Sequence, residues 1–436
     1  MNNHMDIPWH EYTKVDSKIK IEDASLTEKS SVIGRIGLML LACGTGAWRV
    51  RSSMNTIASE LNITCIADIG LTNISYTCID GIDSHAQSLS LHNTSVNTSK
   101  LARMEDFVYH FKDECKTCTC SEIHDQLDQI ENIHSSYSPI ILGLAAALAC
   151  SCFTFLLGGG MIEMLCAFVG AGLGNTLRMK LIKHNYTLFL NVAASVSLAC
   201  LVYALLFNFL EACFGIATQH EAGYICSMLF IIPGFPFITS GIDLAKLDLR
   251  SGIERLAYAI IIILAATLTA WICALVLHLQ PVDFVKLHIS TSTKLLLRLL
   301  TSFGGVFGFS IMFNSSKKIA ASAGCIGAIA NTLRLTLVDL SLPAAAAAFI
   351  GALTAGLLAS MIKGNTGYPR IAVTVPSIVI MVPGLYMYRA IYNLELTSTM
   401  SIGANWLIQS LLIVLALPMG LIFARILTDP SFRYCT

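Results

Sequence analysis

A carboxylate set in an apolar run is the first group of this sequence that could do chemistry: Glu163, in GGGMIEMLCAFVGAG. Ionisable side chains are costly at membrane depth and usually functional there. Two roles stay open for Glu163. It can bind an ammonium or take up a proton, if burial raises its pKa, or it can sit near the start of a helix, where a carboxylate suits the dipole. Asn175 and Asn331 each open an NTLR tetrapeptide. Their carboxamides suit a zwitterion, and equally suit hydrogen bonding between helices. Arg178 and Arg334 close the same tetrapeptides and read as snorkelling anchors. Asp243 and Asp339 are second-rank proton carriers. CKTCTC places Cys115, Cys118 and Cys120 between His110 and His124. A zinc site would need a second CxxC, which is missing, so this stretch reads as a reduced linker. No metal and no cofactor is assigned. A GxxxxGK[ST] phosphate loop is also missing, which argues against ATP hydrolysis.

Backbone can bind as well as side chains. Pro233-Gly234, with Pro236 close by, and Pro383-Gly384, with Pro376 upstream, fall inside apolar runs. Proline removes an intrahelical hydrogen bond and glycine loosens the chain beside it. A helix broken there exposes amide and carbonyl ends that can hold a substrate carboxylate or ammonium. A kink repaired by neighbouring helices is the structural alternative.

The elements that carry these residues follow from composition. Of 436 residues, 55% are hydrophobic and 13% charged, against about 25% charged in soluble domains. Formal net charge is zero, so nucleic acid is not an expected partner. Residues 1–137 read as soluble. Beyond them, apolar stretches of about 20 residues, the length that crosses a bilayer as a helix, recur at 138–157, 160–181, 187–209, 223–244 and 252–279. A second set covers 291–313, 318–338, 342–362, 370–394 and 401–427. Most cysteines lie in these stretches, where they act as small hydrophobes. Lys and Arg gather in alternate connections, at Arg178, Lys180, Lys183, Lys246, Arg250, Arg255, Lys317, Lys318, Lys363, Arg370, Arg425 and Arg433. The other side holds Lys286, Lys294, Arg334 and Arg389. Positive charge marks the cytoplasmic side, which puts both termini there.

The two sets resemble each other. GAGLGNTLR recurs as GAIANTLR, with Asn175 and Asn331 156 positions apart. Two spans later PGFPFITSGIDL is echoed by PGLYMYRAIYNL, with Pro233 and Pro383 150 apart. Matches in the same order point to duplication. Five is odd, so the second half must enter the membrane from the opposite face, the inverted arrangement of many secondary transporters. The expected fold is a membrane all-α bundle of about ten transmembrane helices, two inverted five-helix repeats over 138–280 and 290–430. Ahead of it stands a small N-terminal α+β domain. Helical spacing over 28–61, interrupted at Gly44 to Gly46, precedes strands at TCIADIGLT and ISYTCI. Asp80-Gly81 then signals a hairpin, followed by a strand near 84–91 and a helix near 98–112.

Several segments in order carry a family resemblance: GLMLLACGTGAWRV (37–50), VNTSKLARMEDF (96–107), GGGMIEMLCAFVGAGLGNTLR (158–178), IIPGFPFITSGIDLAKLDLRSGIERL (231–256), GAIANTLR and VPGLYMYRAIY. The chain resembles the threonine/serine exporter family from about residue 30 onward. The resemblance implies a cytoplasmic N-terminal domain, ten spans, and proton-driven export of L-threonine and L-serine across the plasma (inner) membrane. It marks Glu163, Asn175, Pro233 and Gly234 as family motif positions. Where the family often has an acidic residue after Gly-Ala, this chain reads Gly44-Thr45-Gly46-Ala47. The candidate substrate and proton residues are therefore Glu163, Asn175, Pro233, Gly234, Asp243, Asn331, Pro383 and Gly384. Expected partners are an amino acid, protons and the lipid bilayer, with homo-oligomerisation left open. Two other readings stand beside this one. Paired relatives are linked to dicarboxylates such as succinate, which would require Arg178 and Arg334 to be buried. A membrane enzyme would need a catalytic N-terminal domain, and no motif there gathers the plentiful Ser, His and Asp.

Overall fold

The computed structural model describes residues 7–433, apart from 14–18, 93, 134–136, 216–222, 280–283, 285–288, 367–368 and 396–398. Lys286 and the side chain of Lys363 lie outside the described residues.

The N-terminal part starts with α1 (Leu26–Ala42), whose capping box sets Ser25 and Glu28 against each other's backbone amides. Then come α2 (Ala47–Glu60) and strands β1 (Thr64–Ile69), β2 (Asn73–Asp80) and β3 (Asp83–Ser90) in one antiparallel sheet of order β1-β2-β3. Asp80 pairs with Asp83 across a two-residue turn, in which Gly81 takes φ +60°. Helix α1 lies on the sheet so closely that a methyl on Gly34 would stand 2.1 Å from the Tyr76 hydroxyl. That hydroxyl donates to Ser30 O at 2.9 Å.

Helix α3 (Thr98–Glu114) follows, and the stretch expected as a linker instead opens a further helix, α4 (Cys120–Glu131). Thr119 and Glu122 form its capping box, a signal present in the sequence. Arg35, buried at 2% exposure, ties α4 to α1 by donating to His124 O at 3.0 Å, to Glu131 Oε2 at 2.7 Å and to Asp128. The three thiols of CKTCTC go separate ways: Cys115 to Gln126, Cys118 to Glu114 O and Cys120 to Glu28 O. Burial pushes Cys115 up to about 12 and Cys120 to about 11, so both stay protonated at neutral pH.

Ser138 caps α5 (Pro139–Leu156), where proline takes a first-turn position that needs no donor. Helices α6 (Met161–Lys183) and α7 (Leu188–Phe214) pack in sequence. Next come α8 (Tyr224–Ser227) with a 3-10 turn at Leu229–Ile231, then α9 (Gly234–Ala245) and α10 (Leu249–Val276). The rest of the bundle is α11 (Thr291–Met312), α12 (Lys317–Asp339), α13 (Ala344–Thr366), α14 (Arg370–Val379), α15 (Gly384–Glu395) and α16 (Met400–Thr428). Among the described residues seven helices are long and apolar enough to cross a membrane: α5, α7, α10 to α13 and α16. Two bent pairs, Tyr224–Ile231 with Gly234–Ala245 and Arg370–Val379 with Gly384–Leu394, raise the number to nine. Helix α6 has the length, at 23 residues, but Glu163, Asn175, Arg178, Lys180 and Lys183 make it more polar than those seven.

The N-terminal part sits on one end of this bundle. Thr98 N donates to Phe313 O at 3.1 Å and Ser99 Oγ to Asn314 O at 2.7 Å, at the α11–α12 turn. Leu71 N donates to Glu254 Oε2 at 2.6 Å, and Arg51 pairs with Asp248 at 2.5 Å, at the α9–α10 turn.

Candidate functional site

Each bent pair turns at its Pro-Gly, by 53° at Pro233-Gly234 and by 49° at Pro383-Gly384. The two bends lie against each other. A methyl on Gly234 would meet Val379 Cγ1 at 3.1 Å, and one on Gly384 would meet Ile232 Cδ1 at 1.9 Å. Each glycine thus admits a side chain from the other bend. Phe153, Leu229, Ile232, Phe309, Val379 and Val382 enclose about 10 Å³ there, room for one water at most. Phe153 and Phe309 meet edge to face at 6.4 Å. The crossing is apolar and shut.

Arg178 and Arg334 do not reach outward as anchors. Arg178 Nη1 donates to Phe230 O and Arg334 Nη1 to Met381 O, each at 3.4 Å. Phe230 and Met381 lie at the two bends, where interrupting the helix frees carbonyls that need a donor. Arginine supplies it from one helix away in both cases. The Nε atoms of both arginines are buried without a partner.

The other expected residues are dispersed. Asn175 Nδ2 donates to Leu142 O at 2.8 Å, holding α6 to α5, and Asn331 Nδ2 donates to Ser302 Oγ at 2.9 Å, holding α12 to α11. Both side-chain oxygens are buried and unbonded. Glu163 is fully buried in the first turn of α6, and its Oε2 accepts from Gly160 N at 2.9 Å. It thus caps its own helix, at the end of the bundle far from the N-terminal part. Asp243 lies at the opposite end. Pro233, Gly234, Pro383 and Gly384 meet; the other four stand apart from that crossing.

Asp243 leads to a polar junction. Its Oδ2 accepts from Ala47 N at 3.2 Å and Ser251 Oγ at 2.9 Å, and lies 3.2 Å from Arg255 Nε. Arg255 in turn donates to Thr45 O at 2.6 Å and Gly44 O at 3.3 Å. The α1–α2 turn is therefore gripped by a buried ion pair of α9 and α10. Gly46 is required by closeness, since a methyl there would stand 2.5 Å from Asp243 Oδ1.

Beside this pair lies a cavity of about 40 Å³, with Thr45, Trp48, Asp243, Arg370, Arg425 and Phe432 among its walls. The Arg425 guanidinium stacks 4.5 Å from the Trp48 ring and 4.4 Å from Phe432. Lys246 Nζ lies 4.0 Å from the Phe432 ring. Arg370 donates to Gly356 O and Thr428 Oγ1, both at 2.7 Å. Sequence reasoning missed this cluster because it counted Lys246, Arg370 and Arg425 only as markers of one membrane side. The available signal was that GTGAWRV and the segment holding Asp243 and Arg255 both carry the family resemblance.

Residues 31–277 match the family described as "Putative threonine/serine exporter", and residues 298–427 match "Threonine/Serine exporter, ThrE". The chain belongs to the threonine/serine exporter family. Among its relatives, a protein of Mycobacterium tuberculosis named "Probable threonine/serine exporter" is 22% identical over 432 residues, 95% of this chain and 79% of that one. An uncharacterized protein of Haemophilus influenzae is 26% identical over 168 residues, 35% of this chain and 56% of that protein. No solved structure matches. As a member of this exporter family with several apolar spanning helices, the chain is a multi-pass membrane transporter rather than an enzyme.

Proposed function

We propose that this transporter exports L-threonine and L-serine, coupled to protons, by alternating access between two inverted five-helix halves, 138–280 and 290–430. The observation that carries the mechanism is the reciprocal crossing of the two bent spans, each glycine taking a side chain of the other bend and each bend held by an arginine one helix away. The wider packing supports exchange of the halves. Helix α9 packs on α14 and α16, while α15 packs on α8 and α10. Two equivalent arrangements of such a contact can face either side of the membrane. In this reading α6 is a tenth span, with Asn175 and Arg178 turned onto neighbours and Lys180 and Lys183 at its exposed end. Residues 1–137 form the soluble domain, on the cytoplasmic side of the plasma membrane, where Lys246, Arg370 and Arg425 gather. Glu163 and Asp243, both fully buried, are the proton candidates.

The substrate comes from the relative's name and from chemistry. A zwitterion needs both signs of charge, and the protein buries both, in Asp243 and Arg255. Arg178 and Arg334, which a dicarboxylate would require to be buried, do turn inward onto the carbonyls of the bends, so succinate is the competing substrate. Proteoliposomes loaded with labelled threonine, serine or succinate test this directly. Efflux of the two hydroxy amino acids, faster with an opposing pH gradient and lost in Glu163→Gln, is expected. Efflux of succinate alone would overturn the substrate, and gradient-independent flux would overturn the coupling.

A further inference from the structure

The crossing of the bent spans makes no use of the polar cavity at the junction, and the walls of that cavity share an uncommon property. Three of its residues each hold a buried polar atom without a hydrogen-bond partner, Thr45 Oγ1, Trp48 Nε1 and Asp243 Oδ1, while Arg425 Nε lies 3.6 Å from the Asp429 carboxylate. Buried polar groups are nearly always paired, and three orphans at one cavity call for a common partner. Their chemistry is mixed. Trp48 and Arg425 donate, the Asp243 carboxylate accepts, and the Thr45 hydroxyl does either. Asp243 and Thr45 are fully buried, so bulk water does not serve them.

A single ligand charge fits poorly. A cation would face Arg49, Arg370 and Arg425 in the walls, with Arg255 behind Asp243. A simple anion would leave the free oxygen of Asp243 unmatched and repelled. A ligand carrying both charges satisfies each. The Arg425 guanidinium lies against the Trp48 and Phe432 rings with its Nε toward Asp429, which leaves its Nη groups for a second carboxylate, a partner arginine favours. Size narrows the choice further. The cavity has about 40 Å³ of room. That is space for a few waters at about 10–15 Å³ each, so the ligand must be small.

We propose that this cavity binds a small zwitterionic α-amino acid, with its carboxylate on Arg425 and the Trp48 indole N–H, its ammonium on Asp243 and its side-chain hydroxyl on Thr45. The site rests on the exporter reading for its ligand class alone. It lies where the α1–α2 turn meets both halves of the bundle, so the soluble domain forms one wall and the ligand loads from that side. Ala47 N on Asp243 then couples occupancy to the docking of α2.

The test is calorimetric titration of the purified full-length protein in lipid nanodiscs with L-serine, and with ethanolamine and propionate as probes of each charge alone. L-serine is expected to bind, and neither probe is expected to displace it at equal concentration. Arg425→Gln and Asp243→Asn should each weaken L-serine at least tenfold, and Trp48→Phe severalfold. Thr45→Val should weaken L-serine more than L-alanine. Wild-type affinity in Trp48→Phe and Thr45→Val, which alter single contacts and keep the fold if the charge variants do not, overturns the site. So does a wild-type protein that binds no L-serine. The same preparations in liposomes separate the two claims. Serine efflux unchanged in the variants removes the site and leaves the exporter, whereas residue-dependent serine binding without any efflux leaves the site and removes the exporter.

Discussion

The hydroxyls of Tyr224 and Tyr388 lie 2.6 Å apart, and this hydrogen bond joins the first bent span to the second. Both rings are buried, at 0% and 1% exposure, and meet edge to face at 5.9 Å. A buried hydroxyl that loses its partner costs about 1–3 kcal/mol, while removing both partners is nearly neutral. Tyr224→Phe or Tyr388→Phe alone should therefore lower stability by about 1 kcal/mol or more. The double variant should recover most of that loss in thermal unfolding, and additive losses would show that the two hydroxyls do not depend on each other.

The glycines at the bends are unequal. A methyl on Gly384 would push directly on Ile232, whereas one on Gly234 makes a tight contact with Val379. With only about 10 Å³ free at the crossing, Ile232 has little room to turn. Overpacking of this kind costs about 1–3 kcal/mol. Gly384→Ala should depress both the unfolding temperature and flux, and Gly234→Ala should do so less. The reverse order would mean that the bends do not pack as described.

Arg255 and Asp243 depend on each other for burial. Arg255→Leu would leave Asp243 buried without its counter-charge, a loss of about 3–5 kcal/mol for such pairs. Replacing both by leucine should restore part of that stability, though not the grip on Thr45 O and Ala47 N. Limited proteolysis between the N-terminal part and α5 reads the grip separately, and should quicken in single and double variants alike.

Acid should weaken the N-terminal part through His124. Burial, with help from Arg35 and His10, holds its imidazolium down to about 3 from the ordinary 6.5. A group with a lowered basic pKa is neutral when folded and charged when unfolded, so stability is complete above about 6.5 and falls as pH drops toward 3. Between pH 6.5 and 5 the loss is about 2 kcal/mol, at 1.36 kcal/mol per pH unit. Denaturant unfolding across this range should show that slope in wild type, and a flatter profile in His124→Gln.

Orientation can be read from two exposed leucines. Leu247, in the α9–α10 turn, is 68% exposed, and Leu340, after α12, is 73% exposed. In a background without Cys213, Cys325 and Cys435, Leu340→Cys should react with an impermeant thiol reagent added to intact cells. Leu247→Cys should react only after the cells are opened. Equal reactivity from outside would sink the proposed topology.

Much of this architecture was legible in the order of residues, because a bilayer and a helix each impose a length. Apolar runs of spanning length and Pro-Gly inside two of them are local patterns. So are the Asp80-Gly81 turn and the Ser25 and Thr119 caps, which the chain satisfies within a few residues. What the sequence could not show is where a long side chain spends its hydrogen bonds. Arg178 and Arg334 looked like anchors because their spacing placed them near helix ends; only packing revealed the freed carbonyls at Phe230 and Met381. Thr45, Trp48, Asp243 and Arg425 span 380 positions of chain, and no periodicity links them. Their meeting was decided by the docking of the α1–α2 turn onto α9, α10 and α16, since hydrogen bonds and burial act over ångströms of space, whatever the distance along the chain.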